Sequence, residues 1–379
     1  MNKEKSKIAL YVHIPFCVQK CAYCNFCSFV PKSNNIESYI KSLLKEIEIV
    51  GSHLHQQVFS IYIGGGTPSI LPIGAVSQIL ESIGQHFDVL PNASVTIEAN
   101  PNSFTKEKAI EYSLAKINRI SFGLQSASPT ILKILNRAHS AQDLIKAVSI
   151  AKVHGFIDIN VDVMLGVPTQ SLKDVKDTLN QVVALPITHI SAYGLILEEG
   201  TPLYRKVKQG ELSLPTEDET VDMYDYTVAF LENKGFFRYE ISNFAKRGFE
   251  SVHNQNYWNR GEYVGVGLNA YSFVAGIHYQ NTADLTNYCD YITRGELPIV
   301  EKEHESKLTA QNETIMLALR TTKGLNIDEF NKMFKLDFCN KFHKQLEKLL
   351  KNDLIALEGG FLRIKNMYVS NAIITEFFE

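Results

Sequence analysis

The chain has 379 residues, 45% of them hydrophobic, and a formal net charge of −3. That length accommodates one large domain and a smaller one, and without a strongly basic segment the charge balance argues against nucleic acid as a partner. The opening MNKEKSKIALYVHI is too short an apolar stretch for a signal peptide, no run of about 18 apolar residues predicts a membrane-crossing helix, and six cysteines, four of them crowded together, fit a reducing cytoplasm and a metal site better than disulfides.

The first half alternates strand-like and helix-like stretches. Residues 8–14 read as a first strand, followed by a cysteine-rich loop. From Ile36 an amphipathic stretch places Tyr39, Ile40, Leu43, Leu44 and Ile47 on one face, with Ser33 and Asn34 as candidate caps. Further strands are expected at 58–63, 94–98, 119–123, 158–164 and 188–193, with a helix over 141–154 stopped by Gly155. Such alternation predicts a parallel sheet. Six βα units are too few to close an eight-stranded barrel, so the predicted fold is α/β, an open partial (β/α)6 barrel with chemistry at the C-terminal strand ends. The fifth strand alternates Ile157, Ile159, Val161 and Val163 with Asp158, Asn160 and Asp162. A polar face on a central strand is costly unless it lines a polar lumen or binds something.

Beyond Gly200-Thr201-Pro202 the pattern changes. Residues 216–234 read as a long helix, and 271–274 with 277–280 read as a hairpin around Ala275-Gly276. From about Lys307 come short helices, then two short strands around Gly359-Gly360, an arrangement like a winged-helix α+β module. Residues 301–379 hold twelve basic and twelve acidic side chains, so Lys341, Lys344, Lys348 and Lys351 read as a solvated face. The predicted organisation is 1–200 for the barrel, 201–300 for an extension and 301–379 for the C-terminal domain.

Cys17, Cys21 and Cys24 read CVQKCAYC. This spacing lets one loop present three thiolates to a 4Fe–4S cluster and leaves one iron without a protein ligand. An open iron can take a small molecule, as an open position in any catalytic metal site does. Two other readings compete. Structural zinc needs four ligands, commonly as two pairs, but no second CxxC occurs and Cys289 and Cys339 are isolated. Cys21, Cys24 and Cys27 follow the ferredoxin CxxCxxC spacing, but Phe29, Val30 and Pro31 follow without a fourth cysteine.

The CxxxCxxC pattern, with Tyr23 before its last cysteine, resembles the signature of the radical S-adenosylmethionine (SAM) superfamily. The resemblance implies that the open iron chelates the amino and carboxylate groups of SAM. It also implies that an electron from the cluster cleaves SAM to a 5′-deoxyadenosyl radical, while the protein supplies binding and orientation. Gly64-Gly65-Gly66-Thr67-Pro68 follows the second strand. Glycines there allow close approach of backbone to a ligand, and exposed N–H groups can hold a carboxylate. The plain alternative is a tight turn with Pro68 starting the next helix. In the superfamily this segment contacts the methionine end of SAM.

Glu98, Gln125, Arg137 and Asp162, with Tyr11 ahead of the loop, match in order and spacing the SAM contacts of the oxygen-independent coproporphyrinogen III oxidases and their relatives. Singly each is ordinary: most glutamates are surface groups, and Arg137 reads as a surface ion pair, although it can fork onto a carboxylate as lysine cannot.

Within that subgroup two expectations stand. One is an enzyme that oxidatively decarboxylates two propionates of coproporphyrinogen III. The other is a heme chaperone of the HemW type, which carries heme to acceptor proteins. Three features favour the chaperone. Only sixteen residues precede Cys17, whereas the decarboxylases have a longer extension. Phe26 stands two residues after Cys24, where they carry a fourth cysteine as CxC, and Cys27 comes one later. His253-Asn254-Gln255-Asn256-Tyr257-Trp258 reads HNxxYW, resembling a chaperone motif. Cys27 departs from both patterns and is read as a buried hydrophobe or reactive thiol, not a cluster ligand.

Neutral imidazole is a good iron ligand, so His253 is a candidate for heme iron, with Tyr257 and Trp258 able to flank a porphyrin. The same six residues also read as a satisfied histidine beside a buried aromatic pair. Gly265-Val266-Gly267-Leu268-Asn269-Ala270 lacks the third glycine, preceding strand and following helix of a dinucleotide fingerprint and reads as a backbone turn. The resemblance thus implies a cytoplasmic protein with a 4Fe–4S cluster, SAM and heme b. Its implied partners are heme and acceptor hemoproteins such as respiratory-chain components, with no nucleic acid and no membrane insertion; a homodimer is compatible with the family.

Overall fold

The computed structural model describes residues 6–32 and 35–378. Ser33 and Asn34, the expected helix caps, lie outside the described residues. Six strands form where the apolar patterning predicts them: β1 (Lys7–Ile14), β2 (Gln57–Gly65), β3 (Asp88–Ala99), β4 (Arg119–Gln125), β5 (Asp158–Leu165) and β6 (His189–Gly194). Each pairs in parallel with the next. The crossovers carry helices Asn35–His53, Ala75–His86, Lys106–Leu114, Ala141–Val153 and Leu172–Val183.

Covered on both faces, β1 buries Ile8, Leu10, Val12 and Ile14 completely. The first crossover helix turns Tyr39, Ile40, Leu43 and Ile47 inward as one stripe. Capping boxes, Ser140 with Asp143 and Ser171 with Asp174, fix where two of the later helices begin.

The extension lengthens the same sheet at both edges. It adds β7 (Phe237–Arg238), β8 (Asn243–Ala245), β9 (Tyr263–Val266), β10 (Tyr271–Val274), β11 (Ile277–Asn281) and β12 (Ile299–His304). The strand order is β12-β11-β10-β9-β1-β2-β3-β4-β5-β6-β8-β7, an open sheet. The hairpin around Ala275-Gly276 is present, with positive φ at both central residues (51° and 73°) as a type I′ turn requires.

Residues 265–270 correct the turn expectation in part. Gly265 lies inside β9, which runs parallel to β1; a side chain there would strike the Tyr271 carbonyl. The turn begins at Gly267, whose φ is +102°.

The C-terminal residues form a second core around Phe330, Phe338, Phe342 and Phe377. Helices Lys307–Ala318, Ile327–Phe334 and His343–Lys351 pack beside a three-stranded sheet of β13 (Leu325–Asn326), β15 (Phe361–Ile364) and β14 (Ile355–Glu358). Lys344, Lys348 and Lys351 are exposed, as a solvated face should be. Among the described residues no helix is long and apolar enough to cross a membrane.

Candidate metal and cofactor site

The C-terminal ends of β1–β6 surround one cavity of about 570 Å³, a size suited to a small-molecule or cofactor site. Cys17, Cys21 and Cys24 all face it, and all three are free thiols. Their loop is pinned at both ends, by the Cys17 N–H to the Phe29 carbonyl (3.1 Å) and the Phe29 N–H to the Pro15 carbonyl (2.9 Å). Each sulfur has a polar neighbour: Thr67 Oγ1 lies 3.6 Å from Cys17 Sγ, Arg137 Nη1 3.2 Å from Cys21 Sγ, and Ser28 Oγ 3.9 Å from Cys24 Sγ. Burial pushes the Cys17 thiol up, against the pull of Thr67 and Ser28.

Strand register brings the remaining groups to the same mouth. Ile14 pairs with Gly65, so the glycine run lies beside the start of the cysteine loop. Glu98 pairs with Ser121, and Gly123 with Asp162. Tyr23, Gly65, Gly66 and Thr67 line the cavity, as do Glu98, Gln125, Arg137 and Asp162.

The glycine run works differently from the sequence expectation. Its N–H groups are already used: Gly65 donates to Glu98 Oε2 (3.0 Å), Gly66 to the Ile14 carbonyl (2.7 Å) and Thr67 to the Phe16 carbonyl (2.7 Å). A Cβ on Gly66 would sit 2.6 Å from the Phe16 carbonyl oxygen, and one on Gly65 would meet the His13 ring. The glycines therefore let the second strand end close against the cysteine loop. What the segment retains for a ligand is acceptor capacity, because each carbonyl oxygen has two lone pairs.

Glu98 is the electrostatic centre of the wall. Burial raises its pKa to about 7, opposed by hydrogen bonds from the Tyr62 hydroxyl (2.8 Å) and the Gly65 N–H. Burial likewise raises Asp162, opposed by the Asn160 amide at 2.7 Å. Burial works to lower the pKa of Arg137, but the neighbouring Cys21 and Tyr23 more than offset it. Its fork spans Cys21 Sγ and the Gly123 carbonyl (2.5 Å), and a Cβ on Gly123 would sit 2.9 Å from the guanidinium, so the glycine leaves room for the fork in this position.

Gln125 has φ +71°, a conformation costing a non-glycine residue about 1 kcal/mol and typical of functional sites. Its Oε1 accepts from the Tyr193 hydroxyl at 2.8 Å.

Two expected residues lie away from the cavity wall. Tyr11 hydrogen-bonds His13 Nδ1 (3.0 Å), stacks on Tyr62 and acts from behind; His13 Nε2 in turn meets the Cys27 carbonyl at 2.8 Å, bracing the cysteine loop. His253 is buried, with Nδ1 2.9 Å from Ser60 Oγ and Nε2 2.9 Å from the Tyr257 hydroxyl. Burial lowers its pKa to about 3, aided by the Arg119 charge. As folded, neither ring nitrogen is open to iron. Tyr257 is held edge-on against His253 and Tyr263, and within helix Val252–Trp258 it is Asn254 that reaches the cavity. Cys27 is half-buried against the main core with Sγ 3.9 Å from the Ala283 carbonyl, consistent with a small hydrophobe.

The lumen also holds Arg119, which the sequence reading passed over. Arg119 pairs with Asp158 at 3.4 Å. Asn160 bonds Ser121 (2.7 Å) and His189 (2.6 Å), so the polar face of β5 does line a polar lumen. Asn100 Oδ1 and Arg137 Nε are buried at the cavity wall without a protein partner. Three unspent thiols beside unpartnered polar atoms fit a cluster with a polar ligand on its free iron. The thiolates would hold the cluster, which supplies an open iron and an electron.

Comparison with known proteins agrees with this donor set. The Radical SAM superfamily profile matches residues 11–182, and the HemN C-terminal domain profile matches residues 306–366. The heme chaperone HemW of Lactococcus lactis is 33% identical over 91% of this chain and 90% of its own length. HemW of Buchnera aphidicola is 40% identical over 72% of this chain and 71% of its own. The chain belongs to the HemW-type heme chaperone family of the radical SAM superfamily. A HemW-type chain implies, through its superfamily, a 4Fe–4S cluster and SAM. Among solved structures, coproporphyrinogen III oxidase (HemN) from Escherichia coli, a radical SAM enzyme, superposes with a TM-score of 0.88 at 22% identity, covering 99% of this chain and 90% of that one. That likeness shows a shared fold.

Proposed function

We propose that this protein binds heme and passes it to acceptor hemoproteins, in the cytoplasm and without membrane insertion or nucleic acid. The observation carrying this reading is identity above 30% with heme chaperones named HemW over about nine-tenths of the chain. Cys17, Cys21 and Cys24 hold a 4Fe–4S cluster. Tyr23, Gly65, Gly66, Thr67, Glu98, Gln125, Arg137 and Asp162 surround SAM, and Tyr11 supports them through His13. Asn100 and Arg137 have the unpartnered buried atoms to receive SAM's polar groups. Residues 1–200 form the barrel, 201–300 its extension and 301–379 the domain that closes the barrel or meets an acceptor.

Anaerobically prepared protein separates chaperone from oxidase. Stoichiometric heme binding, followed by transfer to an apo-hemoprotein and no product from coproporphyrinogen III with SAM and a reductant, supports the reading. Multiple turnovers of the porphyrinogen without a stable heme complex would replace it with the oxidase.

A further inference from the structure

His189, the first residue of β6, is fully buried and lies one hydrogen bond behind the cavity wall. Register sets it beside Asn160 of β5, and its Nδ1 is 2.6 Å from Asn160 Oδ1. Asn160, which does line the cavity, spends its whole hydrogen-bonding capacity in this position. Its Nδ2 donates to Asp162 Oδ1 and Ser121 Oγ, each at 2.7 Å, and its Oδ1 also accepts from Ser191 Oγ at 3.2 Å. On the far side, His189 Nε2 lies 2.8 Å from the hydroxyl of Tyr239, a residue between β7 and β8. That hydroxyl accepts from the Ser251 N–H at 3.2 Å. Tyr239 is held in turn by its carbonyl, which takes the N–H and the hydroxyl of Thr322, both at 3.1 Å.

The two ends give this chain of hydrogen bonds one direction. The Ser251 N–H can only donate, so the Tyr239 oxygen accepts there and its own proton is free for His189 Nε2. Asp162 as a carboxylate can only accept, so the NH2 of Asn160 faces it. His189 must then carry its proton on Nδ1 and offer Nε2 as an acceptor. Burial, and after it the Arg119 charge, hold the His189 pKa far below its usual value, so the ring is neutral and has one proton to place. With that proton on Nε2, Nδ1 would meet the Asn160 oxygen lone pair to lone pair. Turning the amide to relieve this would set its oxygen against the Asp162 carboxylate. Either arrangement leaves buried groups unpaired.

We propose that His189 is a positioning residue: its Nδ1–H fixes the Asn160 amide, and the amide aims the Asp162 carboxylate at SAM. This role rests on the reading of Asp162 as one of the groups around SAM. No proton moves; the histidine contributes a tautomer and an orientation. Through Tyr239 the extension thereby shapes the SAM site from behind.

The test uses the full chain. In protein labelled with nitrogen-15 at histidine, NMR should find the His189 proton on Nδ1, the signal being assigned by its contact with the Tyr239 ring, 5.6 Å away between centroids. A ring protonated on Nε2 overturns the proposal, and this is read on wild type, whatever the folding of the variants. SAM affinity is measured by equilibrium dialysis on anaerobically prepared protein carrying its cluster. His189→Leu keeps the bulk but neither nitrogen and should weaken SAM by at least about tenfold. His189→Asn sets an amide N–H where Nδ1–H stood and should recover affinity to within about threefold of wild type. Both variants deprive the Tyr239 hydroxyl of its partner, so both should unfold at lower urea. If the two lose SAM affinity alike, or neither loses it, the histidine only packs and the proposal falls. Wild type that carries its cluster but binds no SAM overturns the reading of the SAM site itself.

Discussion

Replacing His253 with alanine separates a structural histidine from a heme ligand. The side chain is 1% exposed and bridges Ser60 of β2 to Tyr257, with Tyr62 packed 5.1 Å from its ring. Removing it leaves two buried hydroxyls without their partner and opens a void. An unsatisfied buried group costs about 1–3 kcal/mol and a truncation void adds to this, so the variant should lose about 2–5 kcal/mol.

The histidine also leaves a pH signature. Its folded pKa is about 3, below the unfolded value of about 6.5. Above pH 6.5 its contribution is fully present. As pH falls, the unfolded chain takes up a proton that the folded chain refuses, so wild type loses about 2 kcal/mol by pH 5 on this account. Burial first, and the Arg119 charge second, keep the ring neutral. Urea unfolding at pH 7.5 and pH 5, read through Trp258, the chain's single tryptophan, should show a destabilised variant lacking that part of the pH slope. Heme affinity of the folded variant should match wild type. A variant as stable as wild type, with the same slope but without heme binding, would refute the reasoning and return His253 to the iron.

Glu46 gives a slope of opposite sign. It is buried among donors from Gly267, Asn281 and Tyr288, and burial raises its pKa to about 7. Its contribution is fully present below about pH 4.5 and is lost as pH rises through 7, a change of about 3 kcal/mol. Denaturation of Glu46→Gln should be flatter across that window, and an unchanged slope would contradict the assignment. Gly66→Ala should push the cysteine loop off the second strand and lower iron per chain. Gly84→Ala, in helix Ala75–His86 with nothing within 4 Å of the added Cβ, should raise stability by about 0.5–1 kcal/mol. Cys27→Ser should retain cluster iron while Cys21→Ser loses it, as measured by iron and sulfide analysis.

Much of the scaffold was legible because period-2 and period-3.6 patterns report local burial directly. The six parallel strands, the hairpin at Ala275-Gly276 and the C-terminal helices and strands follow from such patterns. The alternation of Asp158, Asn160 and Asp162 flagged the polar lumen before its partners were known. Contacts between distant segments were not legible. Ser60 meets His253 across 193 positions, and Glu46 meets Gly267 across 221. No local pattern encodes such pairings, so both readings of His253, iron ligand and satisfied histidine, stayed open in the sequence, and Gly265 read as a turn residue. The glycine run was expected after the second strand; Gly64 and Gly65 instead end that strand, and the close approach that Gly66 permits is to Phe16 of the cysteine loop. The left-handed Gln125 and its Tyr193 partner left no signal, since glutamine rarely adopts that backbone.

The most direct test of the cluster assignment is a Mössbauer spectrum of anaerobically prepared, iron-57-enriched protein before and after SAM. One iron site of the four should change its parameters when SAM is added, while the three thiolate-bound sites stay as they were. Four equivalent sites indifferent to SAM, or protein that carries zinc instead of iron, would contradict the account.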